Sequence, residues 1–201
     1  MGSIRLPHSS GNSMSLAAPA TNPASNLELK LPATIGTAGE VIQNSTTAGT
    51  LEMGSPFRPA FSAYCSSNYT IATDQDVKAQ FQSEHFDTDN AYDAVNDKFV
   101  VPANMGGAYQ LNAGVGVDDL DGGQRVKILI KVNDAAIVGG YEQLAYSSGA
   151  DLITSVNISN VIELSAADEV KIIVRHNGGT DATGVHPYHY FSMFRLGGVA
   201  T

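Results

Sequence analysis

Apolar and polar residues alternate with a period of two over much of the carboxy-terminal part of the chain. Val126, Ile128, Ile130 and Val132 fall on one parity, while Lys127 and Lys131 fall on the other. Val156, Ile158, Ile162 and Leu164 repeat the pattern, and Val170, Ile172 and Val174 oppose Lys171 and Arg175. Side chains on a strand point alternately to its two faces, so each run predicts a strand with one face in a core and one in solvent. Turn chemistry fills the breaks: Asp121-Gly122-Gly123, Val132-Asn133-Asp134, Ser147-Ser148-Gly149, Ser165-Ala166-Ala167-Asp168 and Asn177-Gly178-Gly179. Strands of this length and spacing predict an all-β antiparallel sandwich or jelly roll.

Two further stretches refine that picture. Lys98-Phe99-Val100-Val101-Pro102 and Gly106-Gly107-Ala108-Tyr109-Gln110-Leu111 read as strand, turn and strand, a hairpin in which Phe99 and Tyr109 face each other. Such an aromatic cross-strand pair adds roughly 0.2–1 kcal/mol. The last apolar run, Tyr188 to Leu196, places Phe194 and Leu196 on one parity and Phe191 and Met193 on the other. A strand apolar on both faces is expected to be buried on both, which in a two-layer sandwich calls for a neighbouring subunit. Asp76 to Ser83, with Val77 and Phe81 at i and i+4, is the one helical pattern; it is too short to stand as a helix, and extended structure is expected.

The amino-terminal part reads differently. Residues 1–26 are rich in Ser, Ala, Asn and Pro and predict an extended arm, either a tail or a segment that orders only against a partner. In residues 27–55, Leu27, Leu29 and Leu31 alternate with Glu28 and Lys30, and Val41-Ile42 and Leu51 to Met53 make further short strands between glycines. Isolated hairpins this short are marginal in water, so this segment is expected to wind with other copies or to dock on another protein. Leu27, Leu29, Leu31, Val41 and Ile42 are its candidate attachment residues. Residues 56–201 then form the main domain, long enough to bury about two thirds of its unfolded surface.

The net charge of −9 argues against nucleic acid, whose binding rests on Lys and Arg neutralising phosphates. No segment approaches membrane-spanning length, and the amino terminus lacks the apolar run of a signal peptide, so folding in a reducing cytosol without membrane insertion is expected. The single cysteine, Cys65, excludes an intrachain disulfide and reads as a small buried residue. There is no nucleophile elbow, P-loop or Rossmann fingerprint, and an enzyme is not expected. His186 and His189, three apart, point to opposite faces of a strand and read as surface or interface residues rather than a metal pair. The acidic runs Asp87 to Asp93 and Asp118 to Asp121 offer the hard oxygen ligands that calcium prefers but lack EF-hand spacing; no metal ligands are assigned and no cofactor is expected.

Several motifs, in order, resemble the C1q/TNF-type jelly roll, specifically the globular C1q domain. They are Phe61-Ser62-Ala63-Tyr64, Phe81, Tyr92-Asp93, Lys98-Phe99-Val100-Val101-Pro102, Gly107-Ala108-Tyr109, Lys131-Val132-Asn133, Leu164 with Asp168-Glu169-Val170, and Phe191-Ser192-Met193-Phe194. Met193 stands where the family's closing motif has glycine. There is no collagen-like stalk, and the turn from Pro102 to Gly107 is longer than usual. The resemblance implies a homotrimer about a threefold axis, binding of proteins, glycans or other surface ligands, no catalysis, and calcium in some relatives. Phe61, Phe99, Tyr109, Tyr190, Phe191, Met193, Phe194 and Leu196 are the residues it assigns to core and trimer interface. Separately, residues 27–54 resemble stretches in tail-fibre and other virion proteins of tailed bacteriophages. Together these imply a homotrimeric virion protein, assembled in the host bacterial cytoplasm as a head or tail fibre or capsid decoration. Its amino-terminal segment would hold it to capsid or tail proteins, and its knob would meet a host-surface glycan or protein. A soluble bacterial C1q-like binding module outside any virion is the alternative.

Overall fold

The computed structural model describes residues 3–7, 13–17, 28–45, 47, 49–54, 59–145 and 153–197. The chain forms two compact units, residues 1–56 and 57–201. In the first, β1 (Ser3–Pro7) pairs antiparallel with β2 (Ser13–Ala17). β3 (Val41–Asn44) pairs with β4 (Leu51–Gly54), closed by a Gln43 to Glu52 side-chain hydrogen bond of 3.1 Å. Lys30 adds a single parallel bridge to Thr50, so the alternation at residues 28–31 yields one bridge and not a strand.

The second unit is an all-β sandwich, and no helix occurs among the described residues. Its strands are β5 (Ala60–Tyr64), β6 (Tyr69–Ile71), β7 (Val77–Lys78), β8 (Ser83–Asp87), β9 (Tyr92–Asp93), β10 (Lys98–Val100) and β11 (Gly107–Asp118). β12 (Arg125–Val132), β13 (Ala136–Leu144), β14 (Thr154–Leu164), β15 (Glu169–His176), β16 (Ala182–Gly184) and β17 (Tyr190–Gly197) complete it. One sheet runs β13-β12-β15-β10-β9, with β7 also paired to β15. The other runs β6-β16-β11-β17-β5-β8, with β14 paired to β11. All these pairings are antiparallel, and the two sheets close over one core.

The period-two pattern sets which residues enter that core. Val126, Ile128 and Ile130 of β12, Val170, Ile172 and Val174 of β15, and Tyr109, Leu111, Ala113 and Val115 of β11 are all buried. At the centre Phe61 stacks on Tyr92 and Phe99, with ring centroids 4.6 and 5.2 Å apart, and meets Phe191 edge-on at 4.9 Å. Burying each such side chain stabilises the fold by about 1.5–3 kcal/mol.

The expected hairpin at Lys98 to Leu111 does not form. β10 hydrogen-bonds to β9 and β15 in one sheet, whereas β11 bonds to β14 and β17 in the other. The segment after Pro102 therefore crosses between layers. Phe99 and Tyr109 still meet, at 5.6 Å between ring centroids, but through the core rather than along one sheet. Periodicity reports which face of a strand is buried, and is silent on which sheet the strand joins. Asp76 to Ser83 is extended: Val77 and Lys78 pair with Val174 and Ile173, and Phe81 is buried.

Candidate functional site

The two outer faces of the sandwich differ in kind. On β5, β17 and β11 the outward positions are Ala60, Ser62 and Tyr64; Tyr190, Ser192, Phe194 and Leu196; and Ala108, Gln110, Asn112, Gly114 and Gly116. None of these carries a charge; the charges of this face sit at its two ends, Asp118 as the last outward position of β11 and Glu163 of β14 opposite Ala108. Inward on the same strands lie Phe61, Tyr109, Phe191 and Met193, which are fully buried. Tyr190 and Leu196 stay exposed at 43% and 52%, and Phe194 is half-buried. The last strand is thus apolar on both sides, with one side in the core and the other on this face.

Glycine makes room for the aromatics. A Cβ on Gly114 would lie 2.4 Å from Tyr190 Cε1, and one on Gly116 would lie 2.5 Å from Tyr188 Cβ. Both tyrosines therefore lie against bare backbone of β11. The polar groups between them are tied to each other: Gln110 Nε2 donates to Ser159 Oγ at 2.9 Å, Ser159 Oγ to Asn112 Oδ1 at 2.9 Å, and the Tyr190 hydroxyl to Asn157 Oδ1 at 3.2 Å. Such a face can leave water at low cost, since its polar atoms keep partners when covered. Exposed Val161 and Phe86 extend it.

The outer face of the β12–β15 sheet is the reverse. Lys78, Lys98, Arg125, Lys127, Lys131, Lys171 and Arg175 all project from it, seven of the eleven Lys and Arg in the chain. Lys98 meets Glu169 at 2.5 Å, and Lys171 meets Asp134 at 2.7 Å. Arg125 and Lys127 share Glu142, each at 2.9 Å. Lys127, and then Arg125, hold the Glu142 carboxyl below its ordinary range. Lys171 does the same to Asp134, and Lys98 to Glu169.

The remaining candidate residues fall into three groups. Phe61, Phe99, Tyr109, Phe191 and Met193 are core residues, while Tyr190, Phe194 and Leu196 lie together on the uncharged face. Phe86 escaped the sequence reading as a lone apolar residue in a polar stretch, and Val161 because its parity opposes the inward residues of its strand. In the amino-terminal unit Leu29, Leu31, Val41 and Ile42 are exposed, as is Ile35 at 96%; Leu27 lies outside the described residues.

His189 corrects the expectation of a surface or interface position. His189 is fully buried, with Nδ1 3.1 Å from the Val185 carbonyl and Nε2 3.0 Å from the Tyr69 hydroxyl. The Gly116 N–H also points at Nδ1, at 3.4 Å, so both ring nitrogens have partners within the fold. Burial pushes its pKa down to about 4. His176 is buried as well, accepting from Gly178 N–H at 3.1 Å and donating to the Ile71 carbonyl at 2.8 Å. His186 holds the Cys65 carbonyl, with Nδ1 at 2.7 Å. Cys65 itself is buried, and burial raises its thiol pKa.

The acidic runs serve their own turns. Asp87 accepts the backbone N–H groups of Asp89 and Tyr92, and Asp93 those of Val95 and Asn96. Asp119 accepts the Thr183 hydroxyl at 2.8 Å. Among the described residues no group of three or more His, Cys, Asp or Glu side chains is placed to hold a metal ion.

No family model and no curated protein matches the sequence. Solved structures do match in fold. The globular domain of zebrafish complement 1qA protein is 18% identical with a TM-score of 0.54, the match covering 71% of this chain and 100% of that one. Eiger TNF from S. frugiperda is 15% identical with a TM-score of 0.52, covering 73% and 96%. Murine APRIL is 13% identical with a TM-score of 0.52, covering 69% and 98%. The sandwich is therefore a C1q/TNF-like jelly roll.

Proposed function

We propose that this chain is a homotrimeric binding knob whose uncharged aromatic face forms the contact between copies and whose charged face is displayed. The contrast between those two outer faces carries the reading. Covering a face of Tyr190, Phe194 and Leu196 removes apolar area from water at about 25 cal/mol per Å². Covering seven cations and their acids would instead desolvate charges, which costs several kcal/mol per ion. The jelly-roll likeness to complement and TNF-type domains supports the same choice of architecture.

The small amino-terminal unit, with Leu29, Leu31, Val41 and Ile42 in solvent, is the segment that attaches the knob to a larger assembly. Its resemblance to phage tail-fibre stretches makes a tailed-phage virion the proposed assembly, with the knob turned to a host-surface glycan or protein. Display of weak sites in threes, repeated over a particle, raises avidity without any single tight site.

Mass spectrometry of gradient-purified particles from the source of this sequence tests the virion part: peptides spanning residues 27–197 are expected in them. Their absence, with the chain recovered only in the soluble fraction, would favour a free C1q-like binding module. Deleting residues 1–54 should abolish particle association while leaving a soluble trimer.

A further inference from the structure

The displayed face carries a cavity that the assembly reading leaves unused. It lies beside β12 and β15, has a volume of about 780 Å³, and is lined by Arg125, Lys127 and Arg175 together with Asp74 and Asp76 over Leu129 and Ile137. That size is in the range of small-ligand sites, which run to roughly 300–1,000 Å³. Lys127 and Arg175 are directly opposed across the ladder, an arrangement of like charges that opposes sheet pairing. Among the described residues they are incompletely answered. Arg125 and Lys127 share one carboxylate, and Arg175 reaches Asp76 and Asp74 only at 3.5 and 3.9 Å.

The walls are fixed. Asp74 N–H donates to the His176 carbonyl at 3.0 Å, the Thr73 hydroxyl donates to Gly178, and Arg125 N–H donates to Asn177 Oδ1 at 2.6 Å. Buried His176 pins the loop after β15 from within, through Gly178. A site held by strands and a buried histidine is pre-organised.

We infer that this cavity binds an acidic sugar, its carboxylate held by Arg175, Lys127 and Arg125 and its hydroxyls donating to Asp74 and Asp76. The mixed lining selects the class. A phosphate carries its few donors on the anionic group itself, beside the oxygens that the cations would hold, and a neutral sugar brings no charge to the three cations. A carboxylated sugar answers both sets, with its C–H face against Leu129 and Ile137. This deepens the proposed display role of the charged face, yet the cavity lies within one chain and does not require the trimer.

The test is a ligand-observed NMR titration of the full chain with a galacturonate disaccharide. Saturable, salt-sensitive binding is expected, weakened at least tenfold in Arg175→Ala, as expected for hydrogen bonds to a charged group. Glu142→Gln, which frees Arg125 and Lys127, should tighten binding several-fold, a gain that misfolding cannot mimic. No saturable binding, or an unchanged affinity in both variants, overturns the proposal. Equal competition by inorganic phosphate, by glutamate or by the neutral galactose disaccharide overturns the acidic-sugar class. Sedimentation on the same samples separates the readings: a monomer that binds the disaccharide overturns the assembly alone, and a trimer that does not bind overturns the site alone.

Discussion

The outer faces of β17 and β12 belong to one sandwich, and both alternate with strands that feed the same core. From β17 come Tyr190, Phe194 and Leu196, with Ser192 among them; from β12 come Arg125, Lys127 and Lys131. The core-facing sides are interchangeable in character: Phe191 and Met193 on one strand, Ile128 and Ile130 on the other. Folding therefore needs only the inward halves. The outward halves record what each face meets: one is arranged to lose its water and the other to keep it.

The largest expected effect comes from erasing the difference. Ser192→Lys places a charge in the middle of the uncharged face; three such ions brought together without partners cost about 3–5 kcal/mol per copy. The expected outcome is a folded monomer by size-exclusion chromatography. Next is acid. His189 sits in the core behind that face, and its folded pKa of about 4 lies below the ordinary 6.5, so the unfolded chain binds the proton first. Stability is complete above pH 6.5 and falls as pH drops toward 4, by about 3 kcal/mol in all. Urea unfolding of wild type and His189→Gln across that window should show the slope in wild type and flatten it in the variant.

A smaller effect follows from geometry. Gly114→Val meets Tyr190 and Asn157, for which even a Cβ would be 2.4 and 2.3 Å away, and overpacking of this kind costs about 1–3 kcal/mol. A lower melting temperature, together with looser assembly as Tyr190 is displaced, is expected. The smallest change belongs to the charged face. Glu142→Gln breaks two exposed ion pairs at once, yet such pairs contribute little, and the melting temperature should move by no more than about 2 °C.

What the sequence made legible was parity. The inward sets on β12, β14 and β15, and Tyr109 and Leu111 on β11, follow from alternation alone, and so does the doubly apolar β17. Layer membership was not legible, which is why Phe99 and Tyr109 were expected side by side in a hairpin and instead meet across the core. His189 misled for a related reason. A histidine is expected in solvent by its polarity, and only the fold brings the Val185 carbonyl and the Tyr69 hydroxyl that let it be buried. The seats of Tyr188 and Tyr190 depend on Gly116 and Gly114, more than seventy residues away. The cavity was hidden altogether, because Asp74, Arg125 and Arg175 share a wall only after β6, β12 and β15 have found their places.

Sedimentation equilibrium of the full chain beside its Ser192→Lys variant, both at micromolar concentration, bears most directly on the division between the faces. A mass of about 63 kDa for wild type, three times the 21.0 kDa chain, and of one chain for the variant is the expected result. A wild-type monomer, or a trimer that Ser192→Lys leaves intact, would contradict it.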